Sequence, residues 1–409
     1  MQRLTVTNKS LYLFLLNIYL VCLPLNAMNI GAFGSALKIL AVLPILIALL
    51  SGNKIQLQKP LRWQFYFTLF AIISIAWSAS YSISASRCVT YVLLFTLLLS
   101  TSFFQFDERE LYKVKLALVW SSRVTVVLLL IFGDVVEGRL WLKGIITEDP
   151  NYICAYFAFG AVFALNKIMS DRRLLLKLFG VFELCLYVYV VFLTGSRGGL
   201  LAILSAIGIY IVTYSKSGKK YTIAKIICVI FVFAAINIIL DNLPQELKTR
   251  FSFDSVSDSG GSGRMELWGN AIDMFKNANV FTKLFGFGTG TARYEMSYLG
   301  YSKVNVVHNI FLETLVELGI IGVIIYSVAI LSFAKKAFQC KDKFALAVIT
   351  CMIVLSLSTS IYTFKPYFNI MLYIIMPNLQ SVSVNDAQTI PGKLQQGGYN
   401  ETQYYRSGL

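Results

Sequence analysis

A single histidine in 409 residues, seven cysteines with no CxxC pair and a charged fraction of only 14% exclude several classes of protein at once. One histidine leaves no His/Cys cluster of the kind that holds zinc or iron. The seven cysteines are Cys22, Cys88, Cys154, Cys185, Cys228, Cys340 and Cys351; six of them fall in apolar stretches, so neither a disulfide framework nor a thiolate metal site is expected. There is no Walker loop, and no dinucleotide fingerprint follows a strand. Neither a cofactor nor a metal is therefore expected. The shortage of charge stands against 57% hydrophobic residues and a mean hydropathy of +0.67. A soluble protein of this length could not bury so much apolar surface.

What is present is a series of apolar stretches of about 17 to 25 residues, the length that crosses a bilayer. They predict an all-α integral membrane protein with about twelve spanning helices. The spans lie near 11–25, 35–51, 63–80, 88–104, 111–133, 151–169, 174–194, 198–214, 223–240, 308–334, 343–360 and 366–377. The last is short enough to lie partly in the interface. The first lacks a small-residue cleavage site and reads as a retained helix. With the N-terminus inside, the inner segments carry 22 of the 36 Lys and Arg residues, and each holds at least two. That pattern obeys the positive-inside rule, with both termini cytoplasmic. The net charge of +15 is then a topology signal, and nucleic acid is not an expected partner.

The chain divides into helices 1 to 9 (1–240), one long outward-facing loop (241–307), helices 10 to 12 (308–377) and a cytoplasmic tail (378–409). The loop holds a Gly/Ser-rich stretch at 255–263 and an amphipathic segment at 265–275. With few apolar residues for a core of its own, it reads as a partly helical cap with a mobile entry. The Gly286-Phe-Gly-Thr-Gly290 run inside it has no strand–helix context and reads as a turn.

Lysine dominates the inner segments, yet Arg87, Arg139, Arg197, Arg250, Arg264 and Arg293 map to the outer side. Each could pair with loop acids such as Asp134, Glu137, Asp254 and Asp258, or with lipid headgroups. Two stand out as ligands for an anion, because a guanidinium matches phosphate geometry and keeps its charge. Arg197 lies in the hairpin 194–199, where glycines let backbone amides approach a ligand. Arg264 follows the glycine-rich stretch and opens the amphipathic segment, so a helix N-terminus adds to its charge.

His308 opens the tenth span and is the side chain whose ordinary pKa suits proton transfer near neutrality. Asn309, Glu313 and Glu317 share one face of that helix, and Glu317 lies about 12 Å below Asn309. At such depth a carboxylate should pair with a cation, with Arg197, Arg87 and Lys38 as candidates. Glu317 reads as part of a buried ion network, and Glu313, nearer the surface, as a site candidate. Gly319 and Gly322 are expected to allow close helix packing.

The outer face offers no nucleotide donors, so chemistry there should use an activated anionic donor such as a polyprenyl-diphosphate-linked glycan. Several residues carry a resemblance. His308-Asn309, nine residues, then Gly319-Ile-Ile-Gly322 is similar to the H-N-x9-G-x-x-G signature of the O-antigen ligase and O-antigen polymerase superfamily. Ser196-Arg197-Gly-Gly-Leu-Leu, Gly263-Arg264 with Trp268 and the 286–290 run resemble it too, as does Asp149-Pro-Asn151 more weakly. The resemblance covers roughly 149–335. It implies a metal-independent, inverting glycosyltransferase of the bacterial inner membrane, active on the periplasmic face. His308 would activate the acceptor, and Arg197 and Arg264 would bind the diphosphate. Arg87, Arg293, Asn309 and Glu313 are added as substrate-binding candidates.

The implied partners are an undecaprenyl-diphosphate-linked oligosaccharide donor, a glycan or lipid A core acceptor, membrane lipids and, as a candidate, a chain-length regulator. The residues favour a repeat-unit polymerase over a ligase. A lipid-linked glycan transporter is the competing class, and it predicts ionisable residues at the midplane and broken helices in both halves.

Overall fold

The computed structural model describes residues 2–27, 31–136, 138–142, 150–214, 219–251, 263–360 and 365–377. Before the long inter-helix segment come α1 (Gln2–Cys22), α2 (Gly31–Leu50), α3 (Lys59–Ile73), α4 (Tyr81–Ser100) and α5 (Glu108–Phe132). After a short hairpin come α6 (Pro150–Ser170), α7 (Leu174–Leu193), α8 (Arg197–Thr213) and α9 (Lys219–Asn242). The segment itself contains α10 (Gln245–Phe251), α11 (Arg264–Asn277), α12 (Val280–Phe285) and α13 (Ala292–Tyr298). α14 (Ile310–Gln339), α15 (Lys343–Ser356) and α16 (Lys365–Ile375) follow.

Each of the twelve predicted spans falls on one of these helices. Among the described residues, six helices are long and apolar enough to cross a membrane. The expected tail 378–409, most of the Gly/Ser-rich stretch, Glu137, Asp149, Asp254, Asp258 and the Lys38 side chain lie outside the description.

The all-α expectation needs one small amendment. Asp134–Val136 (β1) pairs antiparallel with Arg139–Trp141 (β2), Val135 opposite Leu140. Gly138 adopts φ 69° in the turn, a conformation that favours glycine. A ribbon this short leaves no trace in a search for membrane-length apolar runs.

Two helices form the centre. α6 is buried on all sides from Ile153 to Leu165, as a helix apolar all round should be. Its Gly160 faces the Tyr187 ring of α7, and Gly180 of α7 meets the Ala164 carbonyl, so the two backbones run close. α16 is the second. Every residue from Pro366 to Ile375 is buried, so this helix stands inside the bundle. Its C-terminal carbonyls are held by Lys336, whose Nζ donates to Ile375 O (3.0 Å) and Pro377 O (2.8 Å). Gln58 Nε2 also donates to Ile375 O at 2.8 Å. Lys336 and Lys343 lie at this end, on either side of the turn between α14 and α15.

A buried charge network ties α5, α6 and α7. Glu183 accepts from Arg123 Nε at 2.8 Å and pairs with Lys167 Nζ at 3.0 Å. Glu183→Ala would strand two cations, so unfolding free energy should fall by about 3–5 kcal/mol. An unfolding midpoint in detergent equal to that of the wild type would show that the network carries no stability.

Candidate active site at the arginine end of the bundle

The site is assembled from helix ends. Thr194 ends α7, and Ser196 caps α8 by accepting from Gly199 N at 3.0 Å. The Ser196 hydroxyl in turn donates to Asn151 Oδ1 of α6 at 2.9 Å. Between them Gly195 adopts φ 61°, which turns the chain sharply and presents Arg197 at the corner. Burial, and then the nearby Arg250 charge, press the Arg197 guanidinium below its ordinary pKa. Arg139 reaches the same corner from β2 and donates Nε to Thr194 O at 2.9 Å. A Cβ at Gly195 would lie 3.2 Å from both Arg139 Cγ and Arg250 Nε.

Arg264 arrives from the other side. A Cβ at Gly198 would overlap the Ser358 hydroxyl and lie 4.0 Å from Arg264 Nη1. Arg264 is the first residue of α11, set by Gly263 at φ 72°. One turn on, Trp268 Nε1 donates to Val307 O at 3.1 Å, which fixes α11 beside His308. Asn270 Nδ2 adds a bond to Lys303 O at 3.1 Å.

His308 is not on the tenth helix, as its sequence position suggested. Asn309 is the N-cap of α14, and its Oδ1 accepts from Phe311 N (3.0 Å) and Leu312 N (3.2 Å). The helix starts only after that cap, and His308 precedes it at φ 54° with a half-buried ring. A histidine in the left-handed region carries strain of about 1–3 kcal/mol, which persists where the surroundings impose it. The Asn309 oxygen is thus engaged in structure.

α14 departs from expectation a second time, at Gly319. There φ is 67° and ψ −168°, so the helix breaks. The break leaves carbonyls for the loop: Phe287 N donates to Val316 O at 2.9 Å and Gly288 N to Glu317 O at 2.8 Å. A Cβ at Gly319 would strike the Leu284–Phe285 backbone, and one at Gly286 the Glu317–Leu318 backbone. The expected helix–helix role of Gly319 is therefore replaced by helix–loop contact. From Ile320 to Gln339 the helix still runs about 30 Å, enough to cross a bilayer unaided. Glu313 and Glu317 lie before the break.

The run 286–290 is more than a turn. Thr289 O accepts from Ser84 Oγ (2.6 Å), Thr289 N donates to Ser74 Oγ (3.1 Å) and Phe287 O accepts from Ala79 N (2.9 Å). These bonds draw the α3–α4 connection inward, which is why α3 ends at Ile73 and α4 begins at Tyr81. Glu317 accepts from Gly290 N (2.7 Å) and Ala292 N (3.3 Å). Arg87, one of the cations expected near it, is brought there, its side chain lying against Gly290. Glu313 accepts from Ser360, and Tyr152 donates to Ser360 O at 3.1 Å, linking this group to the Arg197 corner. Arg293 is exposed on α13.

The cap makes a small core after all. Leu267, Ala271, Met274, Met296 and Val307 bury one another, but Val316 of α14 closes the cluster, so the core is shared with the bundle. Among the described residues, no three His, Cys, Asp or Glu side chains converge as metal ligands.

These features define a multi-pass helical membrane protein with arginines gathered at one end of the bundle. Residues 182–327, which include Arg197, Arg264, His308 and Gly319, match the O-antigen ligase family model. Over 289 residues the chain is 24% identical to the exopolysaccharide production protein ExoQ of Rhizobium meliloti (strain 1021). That match covers 66% of this chain and 63% of the relative. The two findings support assignment of the protein to the O-antigen ligase and polymerase superfamily. Arg87, Arg139 and Asn151 precede the region that the family model matches.

Proposed function

We propose that this protein is an inverting, metal-independent glycosyltransferase that moves an undecaprenyl-diphosphate-linked glycan onto a sugar hydroxyl at the periplasmic face of the bacterial inner membrane. The observation that carries the reading is one connected geometry. Arg264 reaches the Arg197 corner at Gly198, while its own helix holds Val307 next to His308. In this reading His308 takes the proton of the acceptor hydroxyl. The oxygen attacks the anomeric carbon opposite the diphosphate, and the carbon–oxygen bond to the diphosphate breaks. Arg197 and Arg264 stabilise the charge that develops on the leaving group. Glu313 and Arg87 are assigned to glycan hydroxyls, and exposed Arg293 to the outer rim. Asn309 acts through the helix start that presents His308. Twelve spans with both termini cytoplasmic fit the lysines gathered at the opposite end.

A repeat-unit polymerase is the preferred form, in keeping with a relative named for exopolysaccharide production. Ligation to lipid A core is the second reading, in keeping with the description of the matching family model. The transporter reading loses support at the break in α14. Unwound carbonyls that coordinate an ion in transporters here accept Phe287 and Gly288 amides.

Reconstituted protein separates the two transfer readings. A ladder from lipid-linked repeat alone identifies a polymerase, and product only after lipid A core is added identifies a ligase. Activity should survive EDTA, and its loss there would refute metal independence.

A further inference from the structure

α12 carries an apolar surface outside the spans. It exposes Val280 (74%), Phe281 (49%) and Leu284 (39%), at positions i, i+1 and i+4, so they share one side of the helix. The helix is fixed at both ends. Asn279 Oδ1 accepts from Thr282 N at 2.8 Å, and Gly286 N donates to Thr282 O at 2.7 Å. The Phe281 ring stacks on Phe285 at 4.8 Å and meets the half-buried Trp77 ring edge-on at 5.8 Å. Trp77, between α3 and α4, donates Nε1 to Phe285 O at 3.3 Å.

The depth of α12 follows from what it touches. Its Leu284–Phe285 backbone lies against Gly319, the break in α14. From Gly319 to the exposed Lys335 the helix rises ~24 Å at ~1.5 Å per residue, less than the ~30 Å of a hydrocarbon core. An exposed ammonium belongs in water or among headgroups. With Lys335 at one boundary, Gly319 does not clear the other, and α12 sits at membrane depth with it. The exposed side is also continuous with the flank of the spans. Ile320, Ile324 and Leu331 are exposed along one side of α14, and Phe65, Leu69 and Ile73 at four-residue intervals on α3. Phe70 of α3 joins the two surfaces, its ring 6.2 Å from Trp77 and 6.5 Å from Phe285. Single apolar residues scattered over a cap need no explanation, whereas a fixed aromatic cluster at this depth does. We propose that α12 is a membrane-surface anchor, its Val280, Phe281 and Leu284 side buried among lipid acyl chains of the leaflet on the Gly319 side. The proposal goes beyond the transfer reading and does not depend on it. Gly286 follows α12 directly, so the bilayer itself helps to position the run 286–290, whose Gly290 amide binds Glu317.

The test uses the full wild-type chain in vesicles of phosphatidylethanolamine and phosphatidylglycerol that include a phospholipid with a diazirine on its acyl chain. On irradiation the carbene inserts into neighbouring side chains, and mass spectrometry maps the adducts. Adducts should appear within 280–285 as well as at Ile324 of α14. Adducts at Ile324 with none within 280–285 overturn the proposal. A nitroxide at Val280→Cys, in a chain whose native cysteines are replaced, gives a second measure of depth. It should collide more often with oxygen, which concentrates in the acyl region, than with a water-soluble nickel chelate. The reverse order overturns the proposal. Protection from both reagents also overturns it, because a second copy or another protein would then cover the face instead of lipid.

Discussion

Replacing His308 by alanine should lower glycan transfer by about 10²- to 10⁴-fold, the range that a positioned general base contributes. Membrane expression and the unfolding midpoint should hold. The half-buried ring belongs to a residue outside any helix, and an alanine there relieves none of the backbone strain at φ 54°. Arg197→Ala should cost about 10²- to 10³-fold, comparable to losing one preorganised donor to a developing anion. The two variants should differ in kind. Loss of the base should leave binding of the lipid diphosphate unchanged, whereas loss of the guanidinium should weaken it. Full activity in the histidine variant, measured on purified protein with lipid-linked repeat, sinks the proposed mechanism.

Gly319→Ala is expected to be nearly as damaging by a different route. The φ and ψ at this position belong to a region open only to glycine, and a Cβ there would strike the Leu284 carbonyl. Strain and overpacking together should lower stability by about 2–4 kcal/mol. Transfer should fail with it, because the same contact holds the 286–290 run, and through it Glu317 and α13. Gly208 of α8 supplies the control, since nothing lies within 4 Å of its added Cβ. Gly208→Ala should be tolerated or mildly stabilising in the helix. A Gly319→Ala protein that melts with the control would mean that the break is not imposed by the glycine.

Much of this architecture is legible in the residues, and the exceptions share a cause. Helix positions follow from apolar run length, a local property. The arginine concentration at one end follows from charge counting. What the sequence hides is contact between distant segments. A glycine in an apolar run reads equally as a packing site or a break, and only Leu284, 35 residues upstream, decides for Gly319. Asn309 matched a helical stripe with Glu313 and Glu317, but a cap obeys the same spacing as a helix face. Arg250 could be counted on the outer side, yet its approach to Gly195 depends on α10 docking against Phe192, which no spacing encodes. The two glutamates were legible as buried groups facing the bundle interior, because a rise of ~1.5 Å per residue carries them below the helix start.

The burial of α16 bears on how the protein is made. Helices enter the membrane in the order of synthesis, and α16 is the last of the described ones. Its neighbours on α4, α5, α6, α14 and α15 must therefore wait, with a vacant slot among them, until it arrives. At 11 residues, it is too short to be held in a bilayer by its own length and depends on that slot for its place. Assembly is then a closing step after insertion, completed when Lys336 and Gln58 latch the carbonyl end of the arriving helix.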